Sequence, residues 1–233
     1  MNKKMEPGSV CRIESQSTHP QKNIMRPFLS KLLGTVLFLL IPVLVHATAV
    51  DQLKNFSTNT RSAKGEFSQA QVKSGDKVRF TNAASGTFLF SRPGKFIWTY
   101  RKPYEQVLQA DGNELYIYDK DLNQVTVKKL GDALGSSPAA ILFGSNNLEK
   151  NFTLKNSGAR NGYEWVEVIP KTKDTPFEKI NIGMKNGVPE AMELYDSLGQ
   201  LSLIKFTTFI KNPPVNTNTF RFVVPKGADV FRN

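Results

Sequence analysis

Residues 87–100 read TFLFSRPGKFIWTY, two short runs rich in aromatic and β-branched residues on either side of a Pro93-Gly94 pair. Runs of this composition, bounded by turn residues, are typical of β-strands. Because side chains alternate between the two faces of a strand, one face of the predicted hairpin is aromatic. Its members are Phe88, Phe90, Phe96, Trp98 and Tyr100.

Arg92 follows the same alternation and would point to the aromatic face. An arginine turned inward is costly unless its donors are satisfied, and the carbonyl groups at the end of a short helix are suitable partners. The alternative is an arginine at the end of a strand that reaches water beside Pro93, and the pattern alone favours this alternative.

Most of the chain after residue 60 repeats this kind of pattern. Residues 49–60 have apolar side chains at helical spacing and predict a short amphipathic helix. Asp-Gly and Asn-Gly pairs at residues 111–112, 161–162 and 186–187 are strong hairpin signals. The predicted strands are 67–73, 78–91, 95–101, 106–110, 114–118, 123–129, 152–156, 163–169, 177–183, 189–195, 200–209 and 219–224. Antiparallel hairpins at this spacing predict a sandwich or a barrel.

One segment, residues 134–144, interrupts the strands. Ser137 can cap a helix, Pro138 suits its first turn, and Gly144 follows the apolar run that ends at Phe143. A short helix without a polar face must be buried against something. The pattern permits either a helix of the core or a lid over a concave sheet.

The N-terminal region has the form of a secretory signal peptide. The apolar run 32–45 follows Arg26 and Lys31, and it is shorter than a membrane-spanning helix requires. Small residues predict cleavage after Ala47, with Ala49 as the second choice. An N-terminal membrane anchor is the alternative.

Residues 1–24 are polar, and Met25 lies where a signal peptide would begin, so we expect Met25 to be the true start. On this basis residues 1–47 are a signal peptide with an over-extended N-terminus, and residues 48–233 form a single domain. Cys11, His19 and His46 all fall in the first part. The mature chain would then have no histidine or cysteine for a catalytic triad or a zinc site, and no cysteine that could be acylated.

We therefore predict that the protein is not an enzyme. Ser74 and Lys77 match a short Ser-x-x-Lys pattern, but this pattern lies in a predicted turn. Asp119 and Asp121 are predicted to be loop charges. The chain is basic, with a formal net charge of +11, but it has no block of like charges that would indicate a basic tail. Because the chain is predicted to be exported, we do not expect nucleic acid as a partner.

The order and spacing of several motifs resemble the outer-membrane lipoprotein carrier protein family, LolA. These motifs are 67–69 (FSQ), 92–98 (RPGKFIW), Pro103, 111–112 (DG), Leu115, Tyr118, 124–125 (QV), 137–142 (SPAAIL) and 220–227 (FRFVVPKG). The resemblance implies a mainly β fold with a few helices, an unclosed antiparallel β-barrel with an α-helical lid.

The resemblance also implies a function. Such a chain would be a monomeric periplasmic chaperone without a cofactor, which binds the acyl chains of lipoproteins released from the inner membrane by a LolCDE-type ABC transporter. It would deliver them to a LolB-type outer-membrane receptor. Another lipid-binding module of the same half-barrel fold, a receptor or a stress-sensor domain, is the alternative.

The resemblance assigns three sets of residues by position. Arg92 would hold the lid shut, and the aromatic face would line the acyl cavity. The lid would be Pro138, Ala139, Ala140, Ile141, Leu142 and Phe143. The cavity lining would be Phe88, Phe90, Phe96, Trp98 and Tyr100.

Overall fold

The structure, a computed structural model, describes residues 47–72, 83–133, 138–143, 148–172 and 175–232. The described helices are α1 (Ala49–Asn59), α2 (Leu130–Ala133), α3 (Pro138–Phe143), α4 (Leu148–Asn151) and one 3-10 helix (Thr217–Phe220). The described strands are β1 (Ser62–Val72), β2 (Ala84–Ser91), β3 (Lys95–Lys102), β4 (Gln106–Asp111), β5 (Glu114–Asp119), β6 (Gln124–Lys129), β7 (Phe152–Arg160), β8 (Tyr163–Pro170), β9 (Phe177–Lys185), β10 (Val188–Asp196), β11 (Leu201–Lys211) and β12 (Asp229–Arg232).

These strands form a single sheet in the order β12-β6-β5-β4-β3-β2-β1-β11-β10-β9-β8-β7. All neighbours pair antiparallel except β12, which runs parallel to β6. In the described part of the chain the edge strands β12 and β7 do not pair with each other, so the sheet is unclosed. The prediction of a mainly β, unclosed antiparallel barrel with a few helices is confirmed.

In the hairpin of β2 and β3, Phe88 lies opposite Trp98 and Phe90 lies opposite Phe96, so the aromatic residues share one face as predicted. The face that carries these side chains is called the inner face below. Gly94 in the turn has a φ of +68°, a conformation that glycine adopts without the strain of a Cβ atom.

Helix α1 covers the inner face of β7 to β10. Thr48 caps its N-terminus in a capping box with Asp51, and Leu53 and Phe56 are buried. The same hydrophobic core contains Ile180 and Ile182 of β9 together with the aromatic residues of β2 and β3. Both halves of the sheet therefore face a common core.

The predicted strand 219–224 is wrong. Residues 217–220 form the 3-10 helix, capped by Asn216, whose side chain accepts the N–H of Asn218 at 3.0 Å. Phe220 is buried, and Phe222 stacks on Tyr116 with ring centroids 4.5 Å apart. The apolar run therefore packs by its side chains against β3 to β5, and it pairs with none of the described strands.

The sequence did not predict β12 or the short helices α2 and α4. Most other strand boundaries lie close to the predicted ones. Strand β1 begins five residues earlier, at Ser62, and β7 continues four residues further, to Arg160. Strand β2 is described only from Ala84, because residues 78–82 of the predicted strand 78–91 lie outside the described residues. The predicted signal peptide up to His46, Met25, Ser74, Lys77 and Ser137 lie outside the described residues. Among the helices that the structure describes, none has the length and apolar character needed to cross a membrane.

Candidate functional site

The side chain of Arg92 connects three parts of the molecule. Its Nη2 donates to the carbonyl oxygen of Leu142 in α3 at 2.9 Å, and its Nε donates to the carbonyl oxygen of Thr60 at 3.1 Å. The guanidinium carbon lies 5.1 Å from the ring centroid of Phe90 and 5.6 Å from that of Phe56. Burial lowers the pKa of Arg92 to about 10, so the side chain is still charged at neutral pH.

Local structure places Arg92 at this position. Its backbone N–H donates to the carbonyl oxygen of Arg61 at 2.7 Å, which holds the end of β2 beside the start of β1. Thr60 is the C-cap of α1, and its own N–H donates to Phe56. The carbonyl group of Thr60 at this helix end then accepts from the guanidinium, as is favourable for a cation at a helix C-terminus.

Helix α3 is the predicted lid; Pro138 at its start is half-buried, and the other described side chains are almost completely buried. Ala139, Ile141, Leu142 and Phe143 are each at most 1% exposed. The ring of Phe143 stacks on Phe90 with centroids 4.2 Å apart and planes 18° apart. The helix therefore packs an aromatic side chain against the inner face, and its backbone accepts a hydrogen bond from Arg92.

The residues predicted to line the cavity lie together on the inner face. Phe88, Phe90, Phe96 and Trp98 are buried, and Tyr100 is half-buried. In the structure Phe143 also stacks on Phe88, with centroids 5.5 Å apart. Helix α3 therefore contacts the face that the sequence assigns to the cargo, and the role of these five residues as the lining of an acyl cavity stays a prediction.

Several aromatic residues of the inner face were not named from the sequence. Phe67 stacks on Trp98 with centroids 4.0 Å apart, and Phe206 and Phe209 both contact Phe88. Phe67 and Phe206 lie inside predicted strands, where the period of two places them on the same face as other apolar residues. The pairing of β1 with β11, which are far apart in sequence, had no local signal, and it brings Phe206 close to the aromatic hairpin.

An open cavity of about 450 Å³ lies at the other end of β2 to β5 from Arg92. Tyr100 and Gln106 contribute to its wall from β3 and β4. Its mouth includes two exposed apolar side chains, Tyr104 and Leu122. The hydroxyl group of Tyr100 donates to Oε1 of Gln69 at 2.8 Å.

The carboxylates considered from the sequence lie at the rim of this cavity. Oδ1 of Asp119 accepts the backbone N–H of Leu122 at 3.2 Å, as in an ordinary turn, and Asp121 is exposed. Lys120 forms an ion pair with Glu105. Within the described ranges, no cluster of three or more histidine, cysteine or carboxylate side chains could hold a metal ion.

Comparison with known proteins gives a consistent result. The family model "Outer membrane lipoprotein carrier protein LolA" matches residues 58–223. The chain is 63% identical over 187 residues to the outer-membrane lipoprotein carrier protein of Cupriavidus pinatubonensis, covering 80% of this chain and 88% of that protein. It is 49% identical over 201 residues to the protein of the same name from Dechloromonas aromatica, covering 86% and 95%.

Among solved structures, the chain is similar to a LolA superfamily protein from Nitrosomonas europaea, with a TM-score of 0.48 and 11% identity over 76% of this chain and 99% of that one. The family assignment depends on the model match and the sequence identities. The chain belongs to the outer membrane lipoprotein carrier protein LolA family.

Proposed function

We propose that this protein is a periplasmic chaperone that binds the acyl chains of lipoproteins and carries them towards the outer membrane. The observation that supports this most is the Arg92 contact, in which a half-buried guanidinium donates to the backbone of a short apolar helix that lies over an aromatic sheet face. The relatives are named outer-membrane lipoprotein carrier proteins, which supports the proposal. No catalytic step is part of the proposal.

The energetics of acyl transport explain why such a carrier needs a lid. Burying a methylene group is worth about 0.8 kcal/mol, so a chain of about fifteen methylenes gains roughly 12 kcal/mol. A carrier that buried the chain without any opposing cost could not release it. In the closed form the inner face is covered by Phe143, so cargo must displace the lid, and reclosure of the lid favours release.

The aromatic face is the surface that cargo would occupy in the open form. Phe88, Phe90, Phe96, Trp98 and Tyr100 would line the acyl site, and Pro138, Ala139, Ala140, Ile141, Leu142 and Phe143 would form the lid. Arg92 would set the stability of the closed form. A LolCDE-type transporter would supply the cargo, and a LolB-type receptor would accept it.

Export through a signal peptide cleaved after Ala47 fits the capping of α1. Thr48 is the N-cap residue, and Ala49 is the first residue of the helix and is buried. Cleavage after Ala49 would remove both residues, and the loss of an N-cap costs about 1 kcal/mol. We infer that the mature chain begins at Thr48, which N-terminal sequencing of the periplasmic protein would test. We also infer that residues 48–233 form one domain.

The experiment that tests the proposal is the Arg92→Leu substitution. We expect the variant to fold and to accept a triacylated lipoprotein from inner-membrane vesicles. Its transfer of that lipoprotein to vesicles bearing the outer-membrane receptor should fall about tenfold or more, because the lost hydrogen bonds of a charged donor no longer favour lid closure. Both steps are measured with a fluorescently labelled lipoprotein.

The matched control is Arg101→Leu, which removes an exposed arginine from the adjacent strand. This variant should load and transfer like the wild type. Normal transfer by Arg92→Leu would contradict the role of Arg92. A failure of the wild type to take up acylated protein would contradict the carrier function itself.

A further inference from the structure

The inner face contains one buried polar atom whose role the closed form does not explain. Trp98 is 1% exposed, and its indole Nε1 has no hydrogen-bond partner among the described residues. An N–H group buried without a partner is destabilising and is uncommon in native proteins. A phenylalanine would fill much of the same space without this cost.

A polar group close to this indole is the hydroxyl of Tyr100, two residues along β3. Burial raises the pKa of Tyr100, and the Trp98 indole opposes this rise, so the two groups are close. Their arrangement does not meet the distance and angle of a hydrogen bond. The hydroxyl instead donates its own proton to Gln69 at 2.8 Å.

The position of these groups relates them to the open cavity. Trp98 packs against Phe67 and Phe88 within the aromatic face, whereas Tyr100 belongs both to that face and to the wall of the 450 Å³ cavity. Along β3 the environment is wholly apolar at Phe96 and contains the unpaired indole donor at Trp98. At Tyr100 it reaches a half-buried hydroxyl group and the opening of the cavity. A ligand that is apolar at one end and polar at the other would match this sequence of environments.

We propose that the indole N–H of Trp98 donates a hydrogen bond to an ester carbonyl of the cargo's lipidated N-terminal cysteine. The inference rests on the proposed function and specifies where the junction between acyl chain and glyceryl group lies. The acyl chains would extend along Phe88 and Phe90, and the peptide would leave through the cavity beside Tyr100. An ester carbonyl oxygen loses its hydrogen bonds to water when it enters the aromatic face, and the indole N–H would replace one of them.

The test uses a pair of synthetic lipopeptides that differ only at the linkage. Both carry an N-acetylated cysteine, the same peptide and the same alkyl chain lengths, and the glyceryl group is diacylated through esters in one and dialkylated through ethers in the other. The wild type should bind the ester lipid about three- to tenfold more tightly, which corresponds to one net hydrogen bond. Trp98→Phe should remove this preference.

The matched control is Phe67→Leu, which removes the ring stacked on Trp98 but leaves the donor in place. This variant should weaken both lipids equally and keep the preference for the ester. As a second measurement that needs no variant, the Trp98 indole proton resonance in the wild type should shift downfield with the ester lipid and not with the ether lipid.

The outcomes separate this inference from the function on which it rests. If the wild type binds ester and ether lipids equally well, the Trp98 contact is wrong and the carrier function stands. A preference for the ester that persists in Trp98→Phe also contradicts the contact. If the wild type binds neither lipid, both the contact and the proposed function are wrong.

Discussion

Arg92 has a combination of partners that suits arginine better than lysine. Its planar guanidinium donates to carbonyl oxygens of Thr60 and Leu142, which belong to different elements, and it also lies against the rings of Phe56 and Phe90. A lysine ammonium group could not present separated donors in a fixed plane. The lowered pKa of Arg92 reflects the cost of its burial, so the closed form is held without being strongly stabilised.

Asp111 stabilises the turn between β4 and β5. Its Oδ1 accepts the backbone N–H groups of Asn113 at 2.8 Å and Glu114 at 2.9 Å. Burial opposes ionisation, but these hydrogen bonds outweigh it and lower the pKa of Asp111 below its ordinary value of 3.8. The stabilisation is therefore present above that value and is lost as the pH falls through the lowered pKa.

We expect Asp111→Asn to lower the free energy of unfolding at pH 7 by at most about 1 kcal/mol, since the turn is largely exposed. The difference from the wild type should shrink as the pH falls below 3.8 and through the lowered pKa of Asp111, where the carboxylate of the wild type is protonated. Urea unfolding at pH 7 and at a series of lower pH values measures it. Asp121→Asn, in an exposed turn, is the control and should behave like the wild type, whereas a pH-independent loss in Asp111→Asn would argue against the ionised turn.

Helix α3 differs from the strands that it covers in what stabilises its structure. A helix of six residues is far too short to be stable alone, so its structure depends on tertiary contacts. Its backbone carbonyl at Leu142 and its Phe143 side chain make contacts with β2 and the residue that follows it. The loss of these contacts would free the helix and leave the sheet hydrogen bonds intact.

We expect Phe143→Ala to open the lid without unfolding the sheet. Amide hydrogen exchange of residues 138–143 should become faster, an apolar dye should bind the uncovered inner face, and global unfolding by urea should change little. Phe67→Ala is the matched comparison, because it truncates an equally buried ring within a strand and should cost about 3–5 kcal/mol of global stability. Equal losses in the two variants would show that α3 is an integral part of the core.

The two halves of the sheet are covered by different helices. Helix α1 covers β7 to β10 and is joined directly to β1, whereas α3 covers the aromatic hairpin of β2 and β3. Trp98 lies under α3, and Trp165 lies on β8 facing away from the core, beneath the guanidinium of Arg160 at 3.9 Å. The two tryptophans thus report on different faces of the sheet.

We expect acyl binding to change the fluorescence of Trp98 alone, because cargo replaces Phe143 next to it. A Trp165→Phe variant should keep the full emission change on addition of a lipopeptide, and Trp98→Phe should lose it. The experiment is a fluorescence titration of both variants with the ester lipopeptide. An emission change that follows Trp165 would place the ligand outside the inner face.

Local patterns in the sequence determined much of this fold. The period of two in residues 87–100 determined which aromatic side chains share a face, because strand geometry fixes the direction of each Cβ atom. The Asn-Gly turns were equally readable, and Asn161 and Asn186 have the positive φ angles that such hairpin turns require. The family motifs added the position of the lid and of Arg92.

Only the tertiary structure decided whether Arg92 turns inward and which carbonyl group of α3 accepts its hydrogen bond. The stacking of Phe143 on Phe88 and Phe90 was decided there as well. It also decided that β12 pairs parallel with β6 and that residues 217–220 form a 3-10 helix. Each of these features depends on a partner distant in sequence. Local periodicity specifies the face of a strand, but a contact across the core arises from packing and desolvation among elements that no short stretch of sequence contains.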